Sequence, residues 1–186
     1  MTYYAGKTSE HFFKTDYSIA EAASVFLQIA KTLSELISKG CTHNDIKYNN
    51  ICVRIEDSGP VATVIDLGLV TPVGWSNVYP TQEYPENYPW IAPELLQNTY
   101  PSSEASDVYS LAFTMEDLFA YKQPPLSESV INWILEGSCF DPTKRPTLAA
   151  LVEILQPLCE PVLTEHHFND TYEMQPEEMK EKENTC

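Results

Sequence analysis

The sequence predicts a mainly α-helical domain that carries one small β-hairpin. Two stretches repeat apolar residues at the spacing of one buried helical face: Ile19, Ala22, Val25, Phe26, Ile29, Leu33, Leu36 and Ile37, then Ala105, Val108, Tyr109, Ala112, Met115, Leu118 and Phe119. Between them, residues 51–55 and 61–65 are β-branched runs joined by Glu56-Asp57-Ser58-Gly59-Pro60, the pattern of a hairpin. With 186 residues, 43% of them hydrophobic and 20% charged, the chain is long enough for one domain with a proper core. That domain is placed at residues 1–160. Residues 161–186 are polar, acidic and aperiodic, and read as a disordered tail.

Each element has its own signal. Residues 18–39 form the first helix, opened by Ser18 with Glu21 as a capping box and closed by Gly40, where a left-handed residue belongs. Residues 69–91 are rich in Pro and Tyr, show neither helical nor strand period, and are expected to be irregular. The second helix spans 103–121 and is stopped by Pro124-Pro125. A shorter helix at 126–137 carries Val130, Ile131, Trp133, Ile134 and Leu135, and Thr147 caps a last one reaching about residue 158.

Bulk chemistry excludes some function classes. A net charge of -16 argues against a nucleic acid polymer or an anionic membrane surface as partner, because phosphate binding needs an excess of Lys and Arg. No window of 18 residues is free of polar interruption, and the N-terminus lacks the apolar core of a signal peptide. The five cysteines (Cys41, Cys52, Cys139, Cys159, Cys186) are scattered, without C-x-x-C spacing, and read as reduced thiols. An intracellular protein, cytoplasmic or nuclear, is the expectation. His166 and His167 are neighbours in the tail and are read as solvated rather than as metal ligands.

The chemistry is concentrated in Thr42-His43-Asn44-Asp45-Ile46-Lys47-Tyr48-Asn49-Asn50. One short loop there can present a carboxylate, a cation and an amide oxygen to one point. Asn50 enters the first hairpin strand and Asp66 follows the second, so antiparallel pairing is expected to bring both oxygen donors to one edge. Downstream come Val64-Ile65-Asp66-Leu67-Gly68, Ala92-Pro93-Glu94, Asp107-Val108-Tyr109-Ser110 and Asp141-Pro142-Thr143-Lys144-Arg145-Pro146-Thr147.

In order and spacing these motifs resemble the eukaryotic protein kinase family over about residues 1–158. The loop matches His-Arg-Asp-x-Lys-x-x-Asn with Asn44 for Arg, and Asp66-Leu67-Gly68 matches Asp-Phe-Gly with Leu in the middle. The resemblance implies a protein-kinase-like C-terminal lobe with the N-terminal β lobe absent, since no Gly-rich loop precedes the match. Residues 1–7 then fall at the interlobe hinge, or are a frayed terminus. ATP and Mg²⁺ are the implied cofactors: Asp45 as base, Lys47 on the γ-phosphoryl group, Asn50 and Asp66 on the metal. His43 and Asp107 are implied to be structural, the latter accepting hydrogen bonds from the loop backbone, and Glu94 and Arg145 to form a buried ion pair.

Specificity and regulation are read from the departures. Lys47 favours Ser/Thr acceptors, whereas Trp90 is similar to the Trp of tyrosine kinases and Asn87 stands where Ser/Thr kinases have Thr. The hydroxyls of Thr71, Ser76, Tyr79, Thr81, Tyr84 and Tyr88 are candidate phosphorylation sites, but Asn44 replaces the Arg that would pair with such a phosphate. The short interval from Asp107 to Arg145 implies a reduced docking helix. Three uses stay open: a Ser/Thr protein kinase completed by an N-lobe from elsewhere and acting on a protein substrate, a catalytically inactive pseudokinase-like scaffold for a protein partner, and an inert fragment.

Overall fold

The computed structural model describes residues 6–76, 78–79, 87–119 and 126–159. Strand β1 (Lys7–Thr8) leads into α1 (Ser9–Phe13) and the long α2 (Ile19–Ser38). Then come β2 (Cys41–Thr42), β3 (Ile51–Glu56), β4 (Gly59–Val64) and β5 (Thr71–Pro72), followed by α3 (Pro93–Leu96), α4 (Glu104–Phe119), α5 (Glu128–Gly137) and α6 (Leu148–Leu155).

Helix α2 starts where the capping box places it. The Glu21 N–H donates to Ser18 Oγ at 3.1 Å and the Ser18 N–H to Glu21 Oε2 at 2.8 Å, so two otherwise unsatisfied donors are met. Gly40, at φ +76°, turns the chain out of the helix in a conformation other side chains resist. The expected stripe is buried from Ala22 to Leu33, while Ile19 is exposed and Leu36 and Ile37 are half-buried.

The expected hairpin forms as β3 and β4, with Ile51 opposite Val64 and Glu56 opposite Gly59, so its turn is only Asp57-Ser58. Strand β1 adds to its free side, pairing Lys7 with Val53, which makes the sheet three-stranded rather than a lone hairpin. Lys7 is therefore placed by strand pairing and not frayed; residues 1–5 lie outside the described residues. A second pairing, β2 with β5, sets Thr42 opposite Thr71 and corrects the expectation that 69–91 lacks all regular structure.

The core lies between α2, α4, α5 and α6 and under the sheet. Phe12, Phe13, Tyr17, Phe26 and Phe119 form its aromatic end, with centroids 5.0 to 5.9 Å apart, and this cluster is what gives the short α1 its place. Helix α4 is buried over a wider arc than its apolar stripe. Leu111 is fully buried, as are Ser106, Ser110 and Thr114, whose hydroxyls donate to carbonyls three or four residues back. Ala105 and Tyr109, expected on the buried face, are half-buried. Pro124 and Pro125 are outside the described residues.

Helix α5 is capped by Ser127, which accepts from the Val130 N–H, and α6 by Thr147, which accepts from Ala150. Helix α6 ends at Leu155 and continues to Cys159 as a 3₁₀ turn, not as α-helix. A smaller cluster of Val78, Ile91, Ala92, Leu95 and Leu96 packs around α3. Among the described residues Cys41, Cys52 and Cys139 are free thiols, and Cys159 Sγ donates to the Leu155 carbonyl at 3.3 Å. Among the described residues no helix is long and apolar enough to cross a membrane. The tail at 161–186, with His166, His167 and Cys186, is outside them.

Candidate active site

The chain leaves α2 through β2 into the loop 43–47, and α4 holds that loop from below. Asp107 accepts from the His43 N–H and the Asn44 N–H, both at 2.8 Å, and the Thr114 hydroxyl donates to the Ile46 carbonyl at 3.3 Å. The Asp107 carboxylate is wholly buried, and burial pushes its pKa up to about 6, against the two backbone donors, which favour the charged form. This is the structural role the resemblance implies. His43 is also buried, and burial holds its imidazole below the usual histidine range, so the neutral ring accepts the Asp45 N–H at Nδ1 (3.3 Å).

Asn44 adopts φ +67°, a left-handed conformation that Asn tolerates better than most residues. Its Nδ2 donates to the Leu69 carbonyl (2.7 Å) and to Thr71 Oγ1 (2.9 Å), and the Tyr79 hydroxyl donates to its carbonyl. Thr71 Oγ1 also lies 3.2 Å from Thr42 Oγ1 and 3.3 Å from Ser102 Oγ, and Ser102 Oγ donates to the Pro72 carbonyl at 3.1 Å. Position 44 thus turns inward and ties down the start of the segment that follows, and two of the candidate phosphorylation hydroxyls, those of Thr71 and Tyr79, are engaged in that tie. Burial raises the Tyr79 phenol well above its ordinary value. Ser76 and Tyr88 are exposed; Thr81 and Tyr84 lie outside the described residues.

Asp45 is the focus of the loop. It is 7% exposed, and each carboxylate oxygen receives two donors. Lys47 Nζ lies 3.0 Å from Oδ1 and 2.9 Å from Oδ2; Asn50 Nδ2 donates to Oδ2 at 2.8 Å; Trp90 Nε1 donates to Oδ1 at 2.9 Å. These are charge-assisted bonds, about twice as strong as neutral ones. Asn50 Nδ2 also donates to the Asp45 carbonyl at 2.8 Å, which closes the loop on itself. The Lys47 ammonium sits 4.9 Å from the Trp90 ring centroid, within cation–π range.

The hairpin does bring Asn50 and Asp66 to one edge, since the Ile65 N–H donates to the Asn50 carbonyl at 2.8 Å. Their side chains diverge: Asn50 turns to Asp45, while Asp66, at φ +64°, is exposed and accepts the Gly68 N–H at 3.2 Å. Among the described residues no group of three His, Cys, Asp or Glu side chains converges as a metal cage would. The donor set nevertheless fits Mg²⁺, which prefers hard oxygens, takes one or two protein ligands and keeps the rest as water or phosphate. Glu94 and Arg145 pair as expected, Nη1 to Oε1 at 2.6 Å and Nη2 to Oε2 at 2.7 Å.

Two contributors to the site were not legible as such. Trp90 stood out in the sequence for its likeness to one kinase subclass, and Tyr79 only as a hydroxyl. Their contacts with Asp45 and Asn44 span 45 and 35 residues, which no local pattern reports.

A loop of this kind, carried on a mostly helical body with a small antiparallel sheet, defines part of a protein kinase domain. The model for the family "Protein tyrosine and serine/threonine kinase" matches residues 7–137. The chain is 31% identical over 149 residues to the membrane-associated tyrosine- and threonine-specific cdc2-inhibitory kinase of Drosophila melanogaster, covering 69% of this chain and 27% of that one. It is 28% identical over 117 residues to the RAF proto-oncogene serine/threonine-protein kinase of Xenopus laevis (61% and 18%), and 27% identical over 147 residues to the tyrosine-protein kinase ZAP-70 of Mus musculus (75% and 23%). The chain belongs to the protein tyrosine and serine/threonine kinase family. It spans roughly a fifth to a quarter of the length of these relatives.

Proposed function

We propose that this chain is the C-terminal lobe of a protein kinase and serves phosphoryl transfer from ATP to a protein Ser or Thr hydroxyl, with the nucleotide-clamping residues supplied from outside this sequence. One observation carries the reading: Lys47 and Asn50 converge on the Asp45 carboxylate, on a loop anchored through Asp107. In this reaction Asp45 orients the acceptor hydroxyl and takes its proton as the oxygen bonds to the γ-phosphorus. The bond to the bridging oxygen breaks and ADP leaves. Lys47, still held on Asp45, turns its remaining N–H to the γ-phosphoryl oxygens, and Asn50 and Asp66 are the residues that would hold Mg²⁺. When bound, the metal neutralises charge on the phosphates. Lys47 is the basis for preferring Ser/Thr; among the relatives, the printed names include tyrosine kinases as well. The partner is then a protein substrate, in an intracellular, cytoplasmic or nuclear setting.

A second reading, an inactive scaffold that binds a protein partner, is favoured by the full set of donors on Asp45. The test is transfer of labelled phosphate from ATP and Mg²⁺ to Ser/Thr and Tyr peptide libraries by the purified chain assayed together with a nucleotide-clamping kinase lobe. Asp45→Asn should lower the rate by about 10²- to 10⁴-fold. Equal signal from both proteins sinks the catalytic reading. A thermal shift with ATP and Mg²⁺ but no turnover supports the scaffold.

A further inference from the structure

A carboxylate has about four lone-pair directions, and those of Asp45 are all taken: Lys47 and Trp90 on Oδ1, Lys47 and Asn50 on Oδ2. An acceptor hydroxyl can donate to Asp45 only by displacing one of these donors. Asn50 is buried and bonded a second time, to the Asp45 carbonyl, so losing it would loosen the loop backbone. Lys47 is engaged with both oxygens. Among the described residues Trp90 makes one hydrogen bond, from a half-buried ring at the edge of the α3 cluster, and its ring also meets the Lys47 ammonium and, edge-on, Tyr88 at 5.7 Å. The backbone beyond it is anchored by the buried Ile91 and Ala92, so a turn of the indole about its own side-chain torsions does not require the chain to move.

We propose that Trp90 occupies the acceptor position on Asp45, and that a substrate hydroxyl enters by replacing the indole N–H on Oδ1. The exchange is close to even, because one donor to a charged oxygen replaces another. Trp90 is then a positioning residue that holds Asp45 oriented in the resting site and yields to the acceptor. This rests on the phosphotransfer reading, and the test separates the two.

The chain supplies its own controls. Trp133 is buried and its Nε1–H donates to the Thr147 carbonyl at 3.1 Å, whereas Trp75 is 53% exposed. Indole N–H exchange, followed by NMR on the full chain, should be slowed at least about tenfold for Trp90 relative to Trp75, as expected of a charge-assisted bond. In Asp45→Ala the Trp90 protection should vanish while Trp133 stays protected, which shows the fold intact. A millimolar pool of Ser- and Thr-centred peptides should release the Trp90 signal in the wild-type chain. Assayed together with the nucleotide-clamping lobe, Trp90→Phe, which keeps a ring over Lys47 but frees Oδ1, should raise kcat/KM for peptide roughly three- to tenfold and leave KM for ATP unchanged.

Trp90 exchanging as fast as Trp75, or a fall in kcat/KM with Trp90→Phe, overturns the proposal; the latter would make the indole a support for Asp45. If neither protein transfers phosphate yet peptide releases Trp90, the phosphotransfer reading fails and the displacement stands. If neither transfers and peptide leaves Trp90 protected, both fail.

Discussion

Replacing Arg145 with Met is expected to destabilise the fold by about 3 to 5 kcal/mol, the range for a buried charge stranded by loss of its partner. The size follows from how completely the guanidinium is used. Its five N–H groups meet both Glu94 oxygens and the carbonyls of Cys139 (2.7 Å), Ala105 (2.9 Å) and Phe140 (3.2 Å). The two side chains are 0% and 3% exposed, so solvent cannot substitute for either. Its face also lies 4.9 Å from the Tyr109 ring centroid. Met leaves the Glu94 carboxylate unpaired and removes a donor from three carbonyls. At about 2 to 4 °C per kcal/mol for a chain of this size, the melting temperature should drop by about 6 to 20 °C. Urea unfolding followed by far-UV circular dichroism measures the free energy directly. The double variant Glu94→Leu with Arg145→Met should recover much of the loss, because removing both charges of a buried pair is often near neutral, while the three carbonyls keep a residual deficit of about 1 to 3 kcal/mol. A loss below about 1 kcal/mol for Arg145→Met, or a double variant less stable than the single one, would refute the assignment of this pair as a buried fastener.

Asp107 and Gly137 offer two further tests. The Asp107 carboxyl has its pKa raised to about 6 in the fold, so the folded state holds its proton where the unfolded chain has already released it. Its stabilising contribution is full below about pH 4 and is lost as pH rises through 6, so the stability difference between wild type and Asp107→Asn should fall across that window by a few kcal/mol and then level off; a flat difference from pH 4 to 7 would contradict the burial argument. At Gly137, in the last turn of α5, an added Cβ would lie 2.7 Å from the Ala112 Cβ of α4. Gly137→Ala should therefore lower stability by about 1 to 3 kcal/mol in denaturant unfolding, even though Ala is the better helix former.

What the sequence disclosed depended on how local the cause was. Helix α2 was legible because its period and its cap lie within the helix itself, and the β3–β4 hairpin because β-branched runs flank a short turn. The interaction of Asp107 with the loop and the Glu94–Arg145 pair came through family resemblance and proved correct in geometry. Strands β1, β2 and β5 are two residues each, too short to show any alternation, and exist because a partner strand is there to receive them. The breadth of burial on α4 was hidden by Ser106, Ser110 and Thr114, which look polar in the sequence but satisfy their hydroxyls on carbonyls three or four residues back. The left-handed conformations of Asn44 and Asp66 had a hint only in residue type.

The knot of Thr42, Asn44, Thr71 and Ser102 has a consequence for motion. It joins the loop that carries Asp45 to the beginning of the 69–79 segment through bonds that belong to both, and Val73 and Gly74 extend it by donating to the Gly40 and Ser102 carbonyls at 2.9 and 2.8 Å. Neither part can come loose alone without orphaning polar groups of the other, so they open together, as one cooperative unit with one free energy. The ordering entropy of this corner is spent during folding, so a molecule arriving at Asp45 meets a loop backbone already arranged and has only side chains to move.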